Sequence, residues 1–200
     1  MLQEEMTRFR EQETPIEGKV FEGEVLVEED LERFEFDQVV FNKCRFIGCD
    51  FTDATFINTT FTNCDFSNCI FYKSYWKDAL VKDSKADGSK FSGAIFRQST
   101  IETSSFMYTN CVNTLWENSK INDCDFTQAF MSEVKLKKLT LTKVNLTSVD
   151  FFKTPLKGID LSDCNITNIM VSDTYKELGG VKMNMFQAAD IAKLLGIKIV

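Results

Sequence analysis

The residues able to do covalent or metal chemistry in this chain are its seven cysteines, and six of them fall on one five-residue grid: Cys44, Cys49, Cys64, Cys69, Cys124 and Cys164. Thiolates bind soft metals or form bridges, but four-coordinate zinc sites draw on closely spaced Cys or His pairs. Here there is no CxxC and no histidine at all. Cys44 and Cys64 lie twenty residues apart, as do Cys49 and Cys69. Stacked on neighbouring turns of a chain, each pair would be within bridging distance. The expected state is nonetheless a set of small, buried, reduced thiols. Lack of histidine also removes Ser-His-Asp and Cys-His nucleophiles. The nine glycines form no phosphate-cradling loop. Asp50, Asp65, Asp125, Asp150 and Asp160 share the same grid and are expected to point to solvent, without the cleft that acid–base catalysis uses. No catalytic, cofactor-binding or metal-binding residue is expected, and the chain does not read as an enzyme.

The grid itself is the organising feature. Every fifth residue from Phe36 to Val171 is apolar, 28 positions without insertion or deletion. These centres run Phe36, Phe41, Phe46, Phe51, Phe56, Phe61, Phe66, Phe71, Trp76 and onward, turning to Leu, Ile and Val after Met131. From Cys44 onward the residue two before the centre is small almost without exception, among them Ala54, Thr59, Ser74, Ala79, Ser84, Ser89, Ala94 and Ser99, and becomes larger late in the chain, at Val134, Leu139, Val144, Val149 and Ile159. A period of five makes no stripe on an α-helix, where five residues advance about 500°. On a flat strand an odd period alternates faces. The pattern requires a chain that turns once per five residues and points each centre inward. Trp76 and Ala86, ten apart, would then face each other and hold core volume constant.

Runs such as CRFIGCDFTDATFINTTFTNCDFSNCIF resemble the pentapeptide-repeat family. That resemblance implies an all-β solenoid: a right-handed quadrilateral β-helix with twenty residues per coil. The 28 pentads correspond to about seven coils, a rod roughly 34 Å long at the strand spacing.

The flanks divide the chain further. Residues 1–18 read as an acidic, solvated tail, and 19–35 as an imperfect first coil. In that coil Phe21, Leu26 and Leu31 keep the register, but Lys19, Glu24 and Glu29 occupy the small position. It would cover the open end, which is otherwise a sheet edge. Residues 36–171 are the repeat body and 172–200 a C-terminal tail. The first 35 residues carry twelve acids against four bases, whereas the body carries fifteen of each. The overall charge of −7 therefore belongs to the N-terminal end. In the tail, Gly179-Gly180 breaks the pattern. MNMFQAADIAKLLG reads as a short capping helix with Asn184 as N-cap and Gly196 as stop, followed by IKIV as a short strand. No run is long and apolar enough to span a membrane, and the N-terminus has no signal-peptide pattern, so a cytoplasmic protein without membrane contact is expected.

GGVKMNMFQAADIAKLLGIKIV is similar to the tail of Qnr-type pentapeptide-repeat proteins. The similarity implies a homodimer joined through the tail, here through Phe186, Ile191, Leu194, Leu195, Ile197 and Ile199. It also implies a non-enzymatic protein that imitates DNA, binds type II topoisomerase (DNA gyrase or topoisomerase IV) without binding nucleic acid, and protects the enzyme from fluoroquinolones. Immunity against a gyrase-targeting toxin, or an interaction scaffold with an unrelated partner, are the alternatives. The residues before each centre should point outward and align every twenty positions. Tyr75, Ile95 and Leu115 would then form an exposed apolar stripe, unless the N-terminal segment covers it. Asp83, Asp123 and Asp163 form a second, interrupted line that could mimic phosphates.

Overall fold

The computed structural model describes residues 2–194 and 196–198. It is a right-handed quadrilateral β-solenoid closed at both ends. Strands pair in parallel with a constant offset of twenty residues, Phe36 with Phe56 and Phe56 with Trp76. Twenty residues contain four centres, so each coil has four sides. The first side stacks seven strands from Ile16–Glu17 to Lys135–Lys137, and the second seven from Val20–Glu22 to Thr140–Thr142. On the third, Val25–Val27 pairs with Arg45–Ile47, and the rest of the third and fourth sides meet through single bridges.

Local sequence separates the two kinds of side. On the two strand sides the residue before the centre is often β-branched or aromatic, as at Thr55, Tyr75 and Ile95, and is never Asp or Asn, although Ile70 and Phe130 hold that position on a turn side. Where it is Asp or Asn, the carboxylate or amide oxygen accepts the N–H two residues on. Thr52 N donates to Asp50 Oδ1 at 2.8 Å and Thr127 N to Asp125 Oδ1 at 2.8 Å. The chain then closes a tight turn, with Ala54 N donating to the Phe51 carbonyl at 3.0 Å. Asp53, the third residue of that turn, has φ 55°, the type II geometry. The five aspartates expected to face solvent are therefore turn-formers, with Asp65, Asp150 and Asp160 doing the same.

The core is a column of stacked rings. Phe36, Phe56, Trp76, Phe96 and Trp116 stack along the first side at centroid spacings of 5.2, 4.2, 5.5 and 4.0 Å. Each indole N–H is satisfied by the small position two residues earlier, Ser74 Oγ at 2.8 Å and Thr114 Oγ1 at 3.1 Å. At Ala86 the third-side stack is interrupted, and the Phe66 and Phe106 rings approach across it at 6.5 Å. The small positions also tie coils together. Thr59, Ser89 and Ser99 donate to the carbonyls of Phe36, Phe66 and Trp76, each 23 residues earlier.

That geometry explains the odd residues of the first coil. Small-position side chains reach toward the preceding coil, and in the first coil there is none. The structure departs here from the expected solvated tail: Leu2–Gln12 is a helix, α1, and lies across the open end. Leu2 and Met6 are buried, and Phe9 stacks on Phe34 at 4.2 Å. Lys19 pairs with Glu5 at 2.8 Å, and Glu29 accepts from Gln3 at 2.8 Å and Arg10 at 3.2 Å. Lys19, Glu29 and Phe34 are thus long because they clasp a helix rather than fill a coil. The coil itself begins at Ile16, which registers on Phe36.

At the other end Lys135 N donates to the Thr114 carbonyl at 2.9 Å. Pro155, one coil on, has no N–H to repeat that bond, and the first-side sheet stops. The tail folds back over the gap. Glu177, in the 3-10 turn Lys176–Leu178, is buried, and its carboxylate accepts Lys153 N–H at 2.9 Å and Ser172 O–H at 2.8 Å. Burial opposes ionisation there, but hydrogen bonds from its own backbone, Ser172 and Lys153 outweigh it and hold the carboxyl below its ordinary range. Helix α2, Met185–Leu194, follows.

Candidate interaction surface

No described side chains assemble into a catalytic constellation. All seven cysteines are free and buried, and no cluster among the described residues could hold a metal. Six occupy the small position, and the thiols of Cys44, Cys64, Cys69 and Cys124 play the part of the Ser and Thr hydroxyls there. Cys64 Sγ donates to the Phe41 carbonyl at 3.3 Å and Cys69 Sγ to that of Phe46 at 3.2 Å. Burial pushes Cys111 up to about 12 and Cys124 up to about 11, far from the thiolate that chemistry requires.

What the fold presents is surface. Residues on either side of a strand centre point outward, and the twenty-residue register lines them into ladders. Tyr75, Ile95 and Leu115 are brought together as expected, on three successive strands in direct register. All three are half-buried. Helix α1 packs by the Ile16–Glu17 strand at the end of this sheet, so it does not cover them. Thr55 precedes the stripe and Lys135 follows it. Arg97 leans over the Tyr75 ring at 5.9 Å and pairs with Glu117 at 3.0 Å.

Asp83, Asp123 and Asp163 do not form a continuous acidic line. They occupy corner positions along one edge, with Thr103 and Lys143 between them, and Thr103 Oγ1 donates to Asp83. Charge along this edge therefore alternates with neutral and positive groups.

In the tail, Asn184 caps α2 as expected and forms a reciprocal box: Gln187 N donates to Asn184 Oδ1 at 3.0 Å, and Asn184 N to Gln187 Oε1 at 2.8 Å. The Gln187 amide also reaches the last coil, donating to the carbonyls of Leu161 at 2.8 Å and Cys164 at 2.7 Å. Of the tail residues singled out for dimerisation, Phe186 is 75% and Ile197 53% exposed, while Ile191 packs against the core. Leu195, Ile199 and the Leu194 side chain lie outside the described residues. Residues 197–198 are not a strand, and 199–200, the rest of the expected strand, lie outside the described residues. A groove of about 460 Å³ runs between α2 and the last coil, past Ile166, Phe186 and Ile191.

Sequence reasoning missed the clasp at Lys19, Glu29 and Phe34, and the buried Glu177. The first had a signal, since long residues at a position otherwise small mark something other than a coil above them. The second lies beyond the repeat and had none.

Two family models, both described as pentapeptide repeats, match residues 36–79 and 131–168. No curated protein sequence matches the chain. Among solved structures, a trypsin-treated variant of QnrB1, a plasmid-mediated fluoroquinolone resistance protein, superposes with a TM-score of 0.53 at 18% identity, covering 90% of this chain and 100% of its own. Full-length QnrB1 gives 0.47 at 16% identity, covering 92% and 100%. HetL, involved in heterocyst differentiation regulation in the cyanobacterium Nostoc, gives 0.37 at 10%, covering 90% and 93%.

Proposed function

We propose that this chain, whose residues 36–79 and 131–168 match pentapeptide-repeat models, acts without catalysis, as a rigid rod that binds type II topoisomerase and protects it from fluoroquinolones. The observation that carries the reading is the fold likeness to QnrB1, which extends over the whole of that chain and 90% of this one. In this reading the rod takes the place of a DNA segment by its width and length rather than by charge, since the body carries fifteen acids and fifteen bases. Two copies join through the α2 tail, where Phe186 stands exposed at the groove and Ile197 is exposed beyond the helix. The role belongs to the cytoplasm. No described helix is long and apolar enough to cross a membrane.

The test is supercoiling by gyrase of the same source, with and without ciprofloxacin, as the purified protein is titrated in. Supercoiling restored in the presence of drug supports protection. Inhibition without drug keeps the partner and reverses the sign. No effect in either assay refutes the topoisomerase reading. The neutral body also favours a second one, a scaffold whose partner is unrelated to topoisomerase, and that reading survives the last outcome.

A further inference from the structure

The chain has a formal charge of −7, yet the first side of the rod, acidic at Glu17, Glu35 and Asp37, turns basic over its last four strands. Over the strands Tyr75–Lys77, Ile95–Arg97, Leu115–Glu117 and Lys135–Lys137 and the corner residue after each, it carries Lys77, Arg97, Lys135, Lys137 and Lys138 against Asp78 and Glu117. Glu117 is already engaged, by Arg97 at 3.0 Å and Lys137 at 3.7 Å. The cations stand directly beside the apolar stripe. Residues two apart on a strand share a face, so Lys77 and Arg97 flank Tyr75 and Ile95, and Lys135 extends the stripe itself in register with Leu115. Lys135, Lys137 and Lys138 are exposed.

We propose that this face docks an extended acidic segment of a partner protein, with aliphatic side chains on Tyr75, Ile95 and Leu115 and carboxylates on Arg97 and the Lys135–Lys138 group. Charge complementarity gives the sign of the partner. The stripe gives its class. Ile95 and Leu115 bury against apolar side chains, but they offer no platform on which bases stack, and single-stranded nucleic acid would find one ring only, Tyr75. Tyr and Arg are the residues that anchor protein interfaces. Arg97 is also held in place before binding by Tyr75 and Glu117, which lowers the ordering cost of using it. The three strands, two ladder steps apart, span about 10 Å, the length of three extended residues. The inference concerns the chemistry of this face and stands apart from the identity of the partner, topoisomerase or other.

The experiment is panning of a random twelve-residue peptide display library on the immobilised full-length protein, followed by anisotropy titration of the enriched peptides. Enrichment should favour Asp and Glu interspersed with Leu, Ile or Phe. Those peptides should bind about tenfold or more weakly to the Lys135→Glu/Lys137→Glu/Lys138→Glu chain, and lose affinity as salt is raised. Ile95→Glu/Leu115→Glu should abolish binding. If that variant misfolds, the triple lysine variant, altered only at exposed positions, still decides the matter. Enrichment of basic or neutral sequences, no enrichment, or equal binding to the triple variant overturns the proposal. So does a single-stranded oligonucleotide that binds the face more tightly than any peptide and is released by the triple variant.

Discussion

Glu177 offers a sharp test of how the C-terminal end is closed. Elsewhere the corner N–H of each fourth-side turn donates to the next coil, as Lys73 N does to the Ser92 carbonyl at 3.0 Å and Glu133 N to that of Phe152 at 2.9 Å. At Lys153 the acceptor is instead the Glu177 carboxylate. Glu177→Ala leaves that N–H without its partner, and removes one acceptor from Ser172, whose hydroxyl keeps Thr174 at 2.8 Å. A stranded buried donor costs about 1–3 kcal/mol and a lost bond to a charged group a similar amount, so the variant should lose about 2–4 kcal/mol. Glu177→Gln retains an oxygen for Lys153 but not the charge, and should lose about 1 kcal/mol. The pH dependence has a definite sign. The folded carboxyl ionises below its ordinary range, so on acidification the unfolded chain takes up its proton first. The stabilisation is fully present above the ordinary glutamate range, and falls away as pH drops through the folded value. Urea unfolding of wild type and both variants at pH 7 and at pH 3 measures this, with hydrogen exchange at Lys153 and Leu156 reporting the cap directly. Both amides should exchange faster in Glu177→Ala while those of the central coils do not. A Glu177→Gln chain as stable as wild type at pH 7, or a gap of the same size at pH 3, would refute the account.

Three further outcomes are expected. Trp116→Ala, which removes a fully buried ring stacked 4.0 Å from Phe96, should cost about 3–5 kcal/mol in chemical unfolding. Removing residues 1–12 strips Leu2, Met6 and Phe9 from the open end, and light scattering should then show association absent from the full chain. The native protein should leave its seven thiols unreactive toward a disulfide reagent at pH 8 and react with all of them once unfolded; Cys64→Ser should change stability by less than about 1 kcal/mol, because Ser84, in the equivalent place one coil on, donates to the carbonyl two residues earlier, Lys82, as Cys64 does to that of Thr62 at 3.4 Å.

The body of the fold was legible because one physical requirement, an inward apolar residue at every side, repeats without interruption from Phe36 to Val171. Which sides are turns was written in the sequence in part, in Asp50, Asp65 and Asp125, although Ile70 and Phe130 also precede turns. It went unread because the Asp positions look solvent-facing until their oxygens are seen closing turns. The ends were harder. Helix α1 carries only Leu2, Met6 and Phe9 as an apolar face in an acid-rich segment, too weak a pattern to stand alone. Its counterpart at Lys19, Glu29 and Phe34 becomes intelligible only with the helix in place. The stripe Tyr75–Ile95–Leu115 followed from the period alone, whereas the acidic line through Asp83, Asp123 and Asp163 dissolves once Thr103 and Lys143 take their places in it.

The bonds that join coils, such as Tyr75 N to the Ala54 carbonyl, all run along the rod. A force pulling the two ends apart loads them one coil at a time, in the manner of a zipper rather than of a sheared plate. Each rupture frees twenty residues, about 70 Å of contour against the roughly 5 Å they occupied. Stretched between two anchors, the molecule should lengthen in a regular staircase at modest force. The rod is stiff against bending and compression by a partner, and yields readily to traction.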